Sequence, residues 1–163
     1  MTRVFLGFSI RADWPKTWPT ARLLREVDRH ITLVFLGKIS TEQLEHLNSV
    51  PLPDFKSVPA GTFDEMLFLP KRKPRLVAWH TRFLEEADNV FSYQAILNEW
   101  LANQGFHTDT RPYLPHVTLA RAPFKKGEWA EHFKPIDFQV SGLHCYQSLG
   151  YSRYEILWTL KAF

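Results

Sequence analysis

Cysteine is almost missing from this sequence: Cys145 is the single one in 163 residues. One thiol cannot form a disulfide within the chain, so a reducing compartment suits it. Cysteine and histidine also fail to cluster at the spacing of a structural zinc site. The composition therefore gives no support to a domain stabilised by disulfides or by structural zinc.

Long hydrophobic runs and flexible linkers are missing as well. No apolar run approaches the ~18 residues of a membrane span, and the opening MTRVFLGFSI lacks the features of a signal peptide. No glycine- and serine-rich linker divides the chain. We therefore expect a soluble, cytoplasmic, monomeric protein without membrane contact, in which residues 1–163 form one domain of two lobes.

Aromatic residues, in contrast, are abundant. The chain has 13 Phe, 6 Trp and 5 Tyr in a hydrophobic fraction of 45%, against 23% charged residues, which is typical of a packed globular protein. The net charge of +3 is compatible with a polyanionic substrate, but it would suit a neutral one as well.

Short runs rich in β-branched and aromatic residues predict strands, and the first of them covers about residues 3–10. The second is expected to end at Gly37, and the third and fourth to be joined by the basic turn KRKPR. The predicted strands are RVFLGFSI, RHITLVFLG, VPAGTFDEMLFLP, RLVAWHTRF, PHVTLAR, IDFQVSGLHCYQS and YEILWTLKAF.

Four helices are predicted between these strands. Ser40 and Gln43 form a capping box for a helix to about residue 49, and Asp88 caps one over 89–104 that Gly105 ends. TARLLREV and PFKKGEWAEHF are predicted as short helices. Several connections are too short for parallel crossovers, so we expect an α+β fold with antiparallel sheets.

One pattern occurs twice: HITL begins at residue 30 and HVTL at residue 116. Side chains alternate along a strand, so His30 and Thr32 share one face, as do His116 and Thr118. Each copy thus offers a group that carries a proton near neutral pH and a hydroxyl donor. A single copy would be unremarkable in a strand, but a chance repeat is improbable.

Two such faces brought together suit displacement at phosphorus. One imidazole can take a proton from the nucleophile while the other gives a proton to the leaving oxygen. The two hydroxyls can donate to the oxygens that gain charge in the transition state. A metal site is the rival interpretation of the same residues, although no carboxylate accompanies either histidine at ligand spacing. Nucleophilic catalysis has less support, because no Gly-x-Ser-x-Gly elbow is present.

These motifs resemble those of the two-histidine (2H) phosphoesterases, and within them the RNA 2',3'-cyclic phosphodiesterases, also called 2'-5' RNA ligases. The likeness extends to RVFLGFSI, FLPKRKPRLVAWH, RPYLPHVTLAR and the last strand with Tyr154. It implies two pseudo-symmetric lobes around a cleft, each an antiparallel sheet flanked by helices. The implied activity is hydrolysis of cyclic phosphodiester RNA ends, or of cyclic nucleotides, to 2'-phosphomonoesters without a metal or other cofactor.

The resemblance also implies roles for single residues. His30 would donate a proton to the leaving 3'-oxygen and His116 would accept one from water. Thr32 and Thr118 would bind the phosphate, and Arg121 matches a substrate contact. Strict alternation from His116 turns Arg121 to the opposite face, so it reaches the phosphate only if the strand ends or bulges first.

Other residues receive weaker expectations. Tyr113 could stack on a base at the cleft mouth, although a buried rim position explains it too. The basic run over residues 71–75 could steer RNA phosphates or simply be solvated. No chemistry is assigned to the remaining histidines, which are His46, His80, His107, His132 and His144.

Two other functions stay open for the same site. A ligase would join RNA ends through a 2'-5' bond, and a binding module would hold RNA ends without turnover. The products formed from a cyclic-ended RNA separate these functions.

Overall fold

The computed structural model describes residues 1–84 and 90–163, and within them lie eight strands, three helices and a 3-10 turn at Glu26–Asp28. The helices are α1 (Thr41–Ser49), α2 (Val90–Asn103) and α3 (Lys126–His132). The strands are β1 (Thr2–Ala12), β2 (Arg22–Leu23), β3 (His30–Ile39), β4 (Ala60–Leu69), β5 (Leu76–Phe83), β6 (His116–Arg121), β7 (Ile136–Gly150) and β8 (Arg153–Ala162).

The strands join into one sheet that closes on itself. Their order is β1-β3-β6-β5-β4-β7, and β7 pairs again with β1, which makes a barrel of six strands. β8 adds to β7 and β2 adds to β6 outside this ring. All pairings are antiparallel. The predicted α+β class and antiparallel pairing are confirmed.

Two groups of strands can be recognised within the barrel. β1, β3 and β7 pair along much of their length, and so do β4, β5 and β6. The groups meet at two seams, one where Ile31 of β3 pairs with Val117 of β6 and one between β4 and the start of β7. The two separate sheets implied by the resemblance are thus one continuous sheet.

The alternation of side chains along the strands shows which face forms the core. Val4, Leu6 and Phe8 of β1 are fully buried, as is the α2 stripe that includes Leu97 and Leu101. The apolar residues of the two repeated motifs point the same way, since Ile31 and Val117 are also fully buried. The alternate face of the same strands is therefore left for polar groups.

Most predicted elements are confirmed. α1 begins with the predicted capping box, in which Ser40 and Gln43 each bond the other's backbone N–H. β4 and β5 form the predicted hairpin, whose turn is closed by the Arg75 N–H donating to the Leu69 carbonyl at 2.8 Å. α2 covers most of the predicted span, but its predicted cap Asp88 lies outside the described residues.

Two predictions are wrong. TARLLREV is not a helix: Arg22 and Leu23 pair with β6, and the Leu24 N–H donates to the Leu119 carbonyl at 2.9 Å. Pairing with a neighbouring strand outweighs the local helix preference here. β3 also continues past Gly37 to Ile39, because Gly37 adopts a φ of 70° inside the strand rather than ending it.

No helix in residues 1–84 and 90–163 is long and apolar enough to cross a membrane.

Candidate active site

The two repeated motifs lie on neighbouring strands. Ile31 of β3 pairs with Val117 of β6 in antiparallel register. One step further in each direction, His30 lies across from Thr118 and Thr32 lies across from His116. Diagonal neighbours in such a ladder are about 7–8 Å apart, which is the separation expected between the two histidine backbones. The fold thus unites on one face the four residues that the sequence singled out.

Each motif ends in a β-bulge at its leucine. In the β1–β3 ladder the register passes from Thr32 to Val34 and skips Leu33, and in the β5–β6 ladder it passes from Thr118 to Ala120 and skips Leu119. Both leucines and the residues after them are buried in succession. An extra residue inverts the alternation beyond it. In both copies the leucine therefore marks the point at which the side-chain alternation of the strand is inverted.

Because of the bulge, the residue five positions after each histidine lies on the same face as that histidine. In β6 this residue is Arg121, so the condition set by its sequence position is met. Its Nε donates to the Ser152 hydroxyl in the turn between β7 and β8. In β3 the equivalent residue is Phe35, which is 54% exposed. The two copies thus place a cation and an open aromatic ring at matching positions.

Small residues lie across from both threonines. Gly7 pairs with Thr32, and Ala78 pairs with Thr118. A Cβ on Gly7 would come within 2.9 Å of the Ile31 carbonyl oxygen, so the close approach of β1 and β3 requires glycine. Neither threonine hydroxyl bonds another described residue. Both hydroxyls are consequently free to donate to a ligand.

The two imidazoles are presented in the same way. Nδ1 of His30 lies 2.9 Å from the carbonyl oxygen of Asp28, and Nδ1 of His116 lies 2.8 Å from that of Leu114. A carbonyl only accepts, so Nδ1 carries the hydrogen in both rings. Neither Nε2 bonds another described residue. Each ring therefore leaves Nε2 available for a ligand.

His30 lies among aromatic rings. Its centroid is 4.7 Å from that of Phe5, 5.4 Å from Tyr146 and 4.7 Å from Tyr154, which meets it edge-on. Burial among these rings lowers the pKa of His30 to about 4, and the nearby His116 lowers it further. The ring is neutral at pH 7 in the absence of a bound anion.

His116 has different neighbours. Burial lowers its pKa, and the nearby His80 adds to that effect. His80 lies directly across from it on β5. The hydrogen bond to Leu114 acts in the opposite direction. His116 is therefore also neutral at pH 7, which is the form that accepts a proton.

Asp28 fixes the segment before His30. Its carboxylate is buried and accepts from Arg25 Nε at 2.7 Å and from the Tyr154 backbone N–H at 3.0 Å. Its own carbonyl accepts from His30. Asp28 thus connects His30 to the start of β8.

Tyr113 reaches the site from behind. Its hydroxyl donates to the Thr32 carbonyl at 2.8 Å, and its ring meets Phe91 edge-on. Burial raises the pKa of its hydroxyl, which keeps it protonated as a donor. The hydrogen bond holds the backbone of Thr32 in place, and the predicted stacking on a base remains a prediction.

A cavity of about 410 Å³ opens next to the motifs. It begins at Thr32 and His116 and passes Phe35 toward α2 and the loop before β6. Asn98 of α2 contributes a buried Oδ1 that lacks a hydrogen-bond partner. The volume lies in the range of small-molecule sites. The basic turn borders it, because Leu69 and Pro70 line its wall.

Comparison with known proteins adds relatives along most of the chain. An RNA 2',3'-cyclic phosphodiesterase of Bacillus subtilis is 29% identical over 76% of this chain and 75% of its own length. One of Methanocaldococcus jannaschii is 27% identical over 72% of this chain and 67% of its own length. No family model matches the chain.

Solved structures share the fold over nearly the full length. The crystal structure of E. coli LigT complexed with 3'-AMP has a TM-score of 0.66 at 22% identity and covers 98% of both chains. That of TT0787 of Thermus thermophilus has a TM-score of 0.65 at 17% identity and covers 96% of both chains. The chain is similar in sequence to RNA 2',3'-cyclic phosphodiesterases and shares the fold of LigT. The resemblance stated from the sequence is confirmed.

Sequence reasoning missed several residues at this site. Asp28 and Phe35 had weak signals in the sequence. Asp28 lies two positions before His30, and Phe35 occupies the position in the first motif that Arg121 occupies in the second. His80 and Asp64 gave no signal, because strand pairing alone brings His80 to His116 and Asp64 to His80. No group of three or more histidine, cysteine, aspartate or glutamate residues able to hold a metal ion occurs in the part of the chain that the structure describes.

Proposed function

We propose that this protein hydrolyses RNA 2',3'-cyclic phosphodiester ends to 2'-phosphomonoesters. The observation that carries the proposal is the matched presentation of His30 and His116. Both rings donate Nδ1–H to a carbonyl two residues back and leave Nε2 free on one face. An in-line displacement at phosphorus needs a base on one side and an acid on the other, and this arrangement supplies both.

The proposed reaction uses the two histidines in opposite senses. His116 Nε2 takes a proton from water as the water oxygen bonds to phosphorus. The bond from phosphorus to the 3'-oxygen breaks, and His30 Nε2 gives its proton to that oxygen. The 2'-ester bond remains, and proton exchange with solvent resets both rings. This assignment of acid and base follows the family resemblance.

The lowered pKa of His30 fits an acid that is charged only with substrate bound. Alone, the ring is neutral at pH 7 because its pKa is about 4. A phosphate anion beside it favours the charged form and raises the pKa. Substrate binding thus favours protonation of His30, which supplies the proton that the leaving oxygen needs. His116, less strongly surrounded by aromatic rings, stays neutral and ready to accept.

Phosphate binding is assigned to Thr32, Thr118 and Arg121. The two free hydroxyls lie between the histidines, where charge grows on the non-bridging oxygens. The bulge after Thr118 supports the assignment of Arg121, whose guanidinium has further N–H groups beyond the one bound to Ser152. The cavity at Phe35 offers space for the nucleoside next to the phosphate. The exposed basic turn at its edge suits a longer RNA.

The proposed two lobes correspond to the two strand groups of the barrel. One carries His30 and the other His116, and the seam at Ile31 and Val117 lies between them. Each group is antiparallel and contributes one motif. A displacement with an acid and a base on opposite sides fits such a division.

Product analysis tests the function. An RNA oligomer with a 2',3'-cyclic phosphate end is incubated with the protein in excess EDTA, and the end group is identified. A 2'-phosphate is the expected product. A 3'-phosphate, or a requirement for added metal, would refute the proposed reaction. RNA halves with a 5'-hydroxyl end, added in a second arm, reveal ligation, and binding without any product would favour an RNA-end-binding module.

A further inference from the structure

A third histidine stands beside the proposed base. His80 of β5 pairs directly with His116 of β6. The adjacent pair carries a backbone hydrogen bond, since the Thr81 N–H donates to the Pro115 carbonyl at 3.0 Å. In an antiparallel ladder the next pair is then a non-hydrogen-bonded one, whose side chains lie closest. Strand pairing therefore makes His80 and His116 direct neighbours on one face of the sheet.

Asp64 fixes the orientation of this ring. β4 has a register shift between Phe63 and Glu65, which takes Asp64 out of the ladder. Its Oδ1 lies 2.7 Å from His80 Nδ1. An ionised carboxylate only accepts, so Nδ1 carries the hydrogen and Nε2 of the neutral ring has a free lone pair. Nε2 bonds no other described residue.

Three imidazoles are thus presented alike on this face of the barrel. Each donates Nδ1–H to a protein oxygen and keeps Nε2 available, but only His80 uses a carboxylate for this purpose. The side chains of His80 and Asp64 are 27% and 30% exposed, so solvent reaches both. A partly exposed hydrogen bond of this kind adds little to stability, and the β4–β5 ladder already joins these strands.

We propose that His80, oriented by Asp64, holds the attacking water beside His116. The inference rests on the proposed hydrolysis. Water has two hydrogens, of which His116 removes one. The other donates to His80 Nε2, and this fixes the oxygen lone pair toward phosphorus. His80 gains and loses no proton in the step, so the atoms balance as in the reaction above. Asp64 is a positioning residue that acts through His80.

This arrangement selects the nucleophile. An alcohol, including the 5'-hydroxyl of RNA, has a single hydrogen, and His116 must remove it. Nothing remains to donate to His80, and the carbon of the alcohol takes that place. His80 therefore favours hydrolysis over transfer to an alcohol at the same phosphorus.

The test measures a product ratio in mixed water and methanol. The cyclic-ended oligomer yields a 2'-monoester by hydrolysis and a 2'-methyl diester by methanolysis. Loss of a hydrogen bond to the attacking water costs roughly tenfold in rate. In His80→Ala we expect hydrolysis to fall by that amount while methanolysis changes little, so the ratio shifts about tenfold.

Matched variants separate orientation from folding. Asp64→Ala removes the carboxylate and should shift the ratio in the same direction by less. Arg82→Gln, whose Nε lies 4.0 Å from the Asp64 carboxylate, should leave the ratio unchanged. His80→Gln keeps an acceptor oxygen and should recover part of the hydrolysis.

The outcomes are distinguishable. An unchanged ratio in an active His80→Ala protein overturns the inference. An equal loss of both products overturns it as well, because it would mean that His80 acts on His116 or on the fold. A wild-type protein without either product would instead refute the proposed function.

Discussion

His30 is enclosed by aromatic rings, whereas His116 adjoins a second histidine and an open cavity. The two motifs are otherwise alike in side-chain alternation, in the hydrogen bond of Nδ1 and in the bulge at the leucine. The difference concerns solvation. Burial among Phe5, Tyr146 and Tyr154 lowers the pKa of His30 to about 4, while His116 borders the cavity.

In the proposed reaction, the repeated motif provides the matched geometry, and the different neighbours of the two histidines fit the two different roles proposed for them. A base must meet water, and the more open side offers it. An acid must hold its proton until the leaving oxygen forms, and a site that is charged only with substrate does so. The bulges extend the contrast, because they place Phe35 in one copy where Arg121 stands in the other.

Removing either histidine should have the largest effect. His30→Ala and His116→Ala should each lower kcat on a cyclic-ended oligomer by at least ~100-fold, the low end for loss of a general acid or base. Steady-state kinetics measure it. His107→Ala, at an exposed site outside both motifs, serves as the control and should retain full activity. Near-native turnover in either motif variant would break the paired mechanism.

The two threonines should have equal effects, smaller than those of the histidines. Thr32→Val and Thr118→Val each remove a donor to a charged oxygen, which is worth about 1.5–3 kcal/mol, or roughly 10- to 100-fold in kcat/KM. Thr→Ser at the same positions keeps the hydroxyl and should recover most of the loss. If valine at one position were harmless, the phosphate would lie nearer the other copy than the register suggests.

Arg121 and Phe35 test the asymmetry beyond the bulges. Arg121→Gln should raise KM for a cyclic-ended RNA by about fivefold, the effect of one partly exposed charge on the phosphate. Ser152→Ala removes the partner of Arg121 without its charge and should change KM less. Phe35→Ala removes an aromatic ring and does not alter the charge at the phosphate. If an Arg121 variant kept the native KM, Arg121 would not be a substrate contact.

Acid should destabilise the protein through His30. Its pKa is lowered to about 4 in the folded state from an ordinary value near 6.5, so between these values the unfolded chain binds more protons. Stability therefore falls as pH drops from about 6.5 to about 4. Because the ring is partly exposed, the effect should be on the order of 1 kcal/mol.

Urea unfolding of wild type and His30→Gln at pH 7 and pH 4.5 measures this term. The variant should lose less stability on acidification, and His107→Gln should behave as wild type. His116 and His144, whose pKa values are also lowered by burial, leave a smaller dependence in all proteins. An identical acid response in wild type and His30→Gln would contradict the burial of His30.

Much of the site follows from the sequence because two identical patterns share one chemistry. Alternation alone places His30 with Thr32 and His116 with Thr118. The bulge at Leu119 does not follow from the sequence, since it depends on the register with β5, and the sequence alone therefore does not determine the face of Arg121. The segment at Arg22 and Leu23 shows the same limit, because pairing with β6 overrides its helical pattern.

The assignment of acid and base can be tested most directly by changing the leaving group. A 2',3'-cyclic phosphate with sulfur in place of the 3'-bridging oxygen expels a thiolate, which needs no proton from an acid. With this substrate His30→Ala should regain most of its activity, while His116→Ala should remain at least ~100-fold impaired. Rescue of His116→Ala instead would reverse the roles, and rescue of neither variant would contradict acid–base catalysis by this pair.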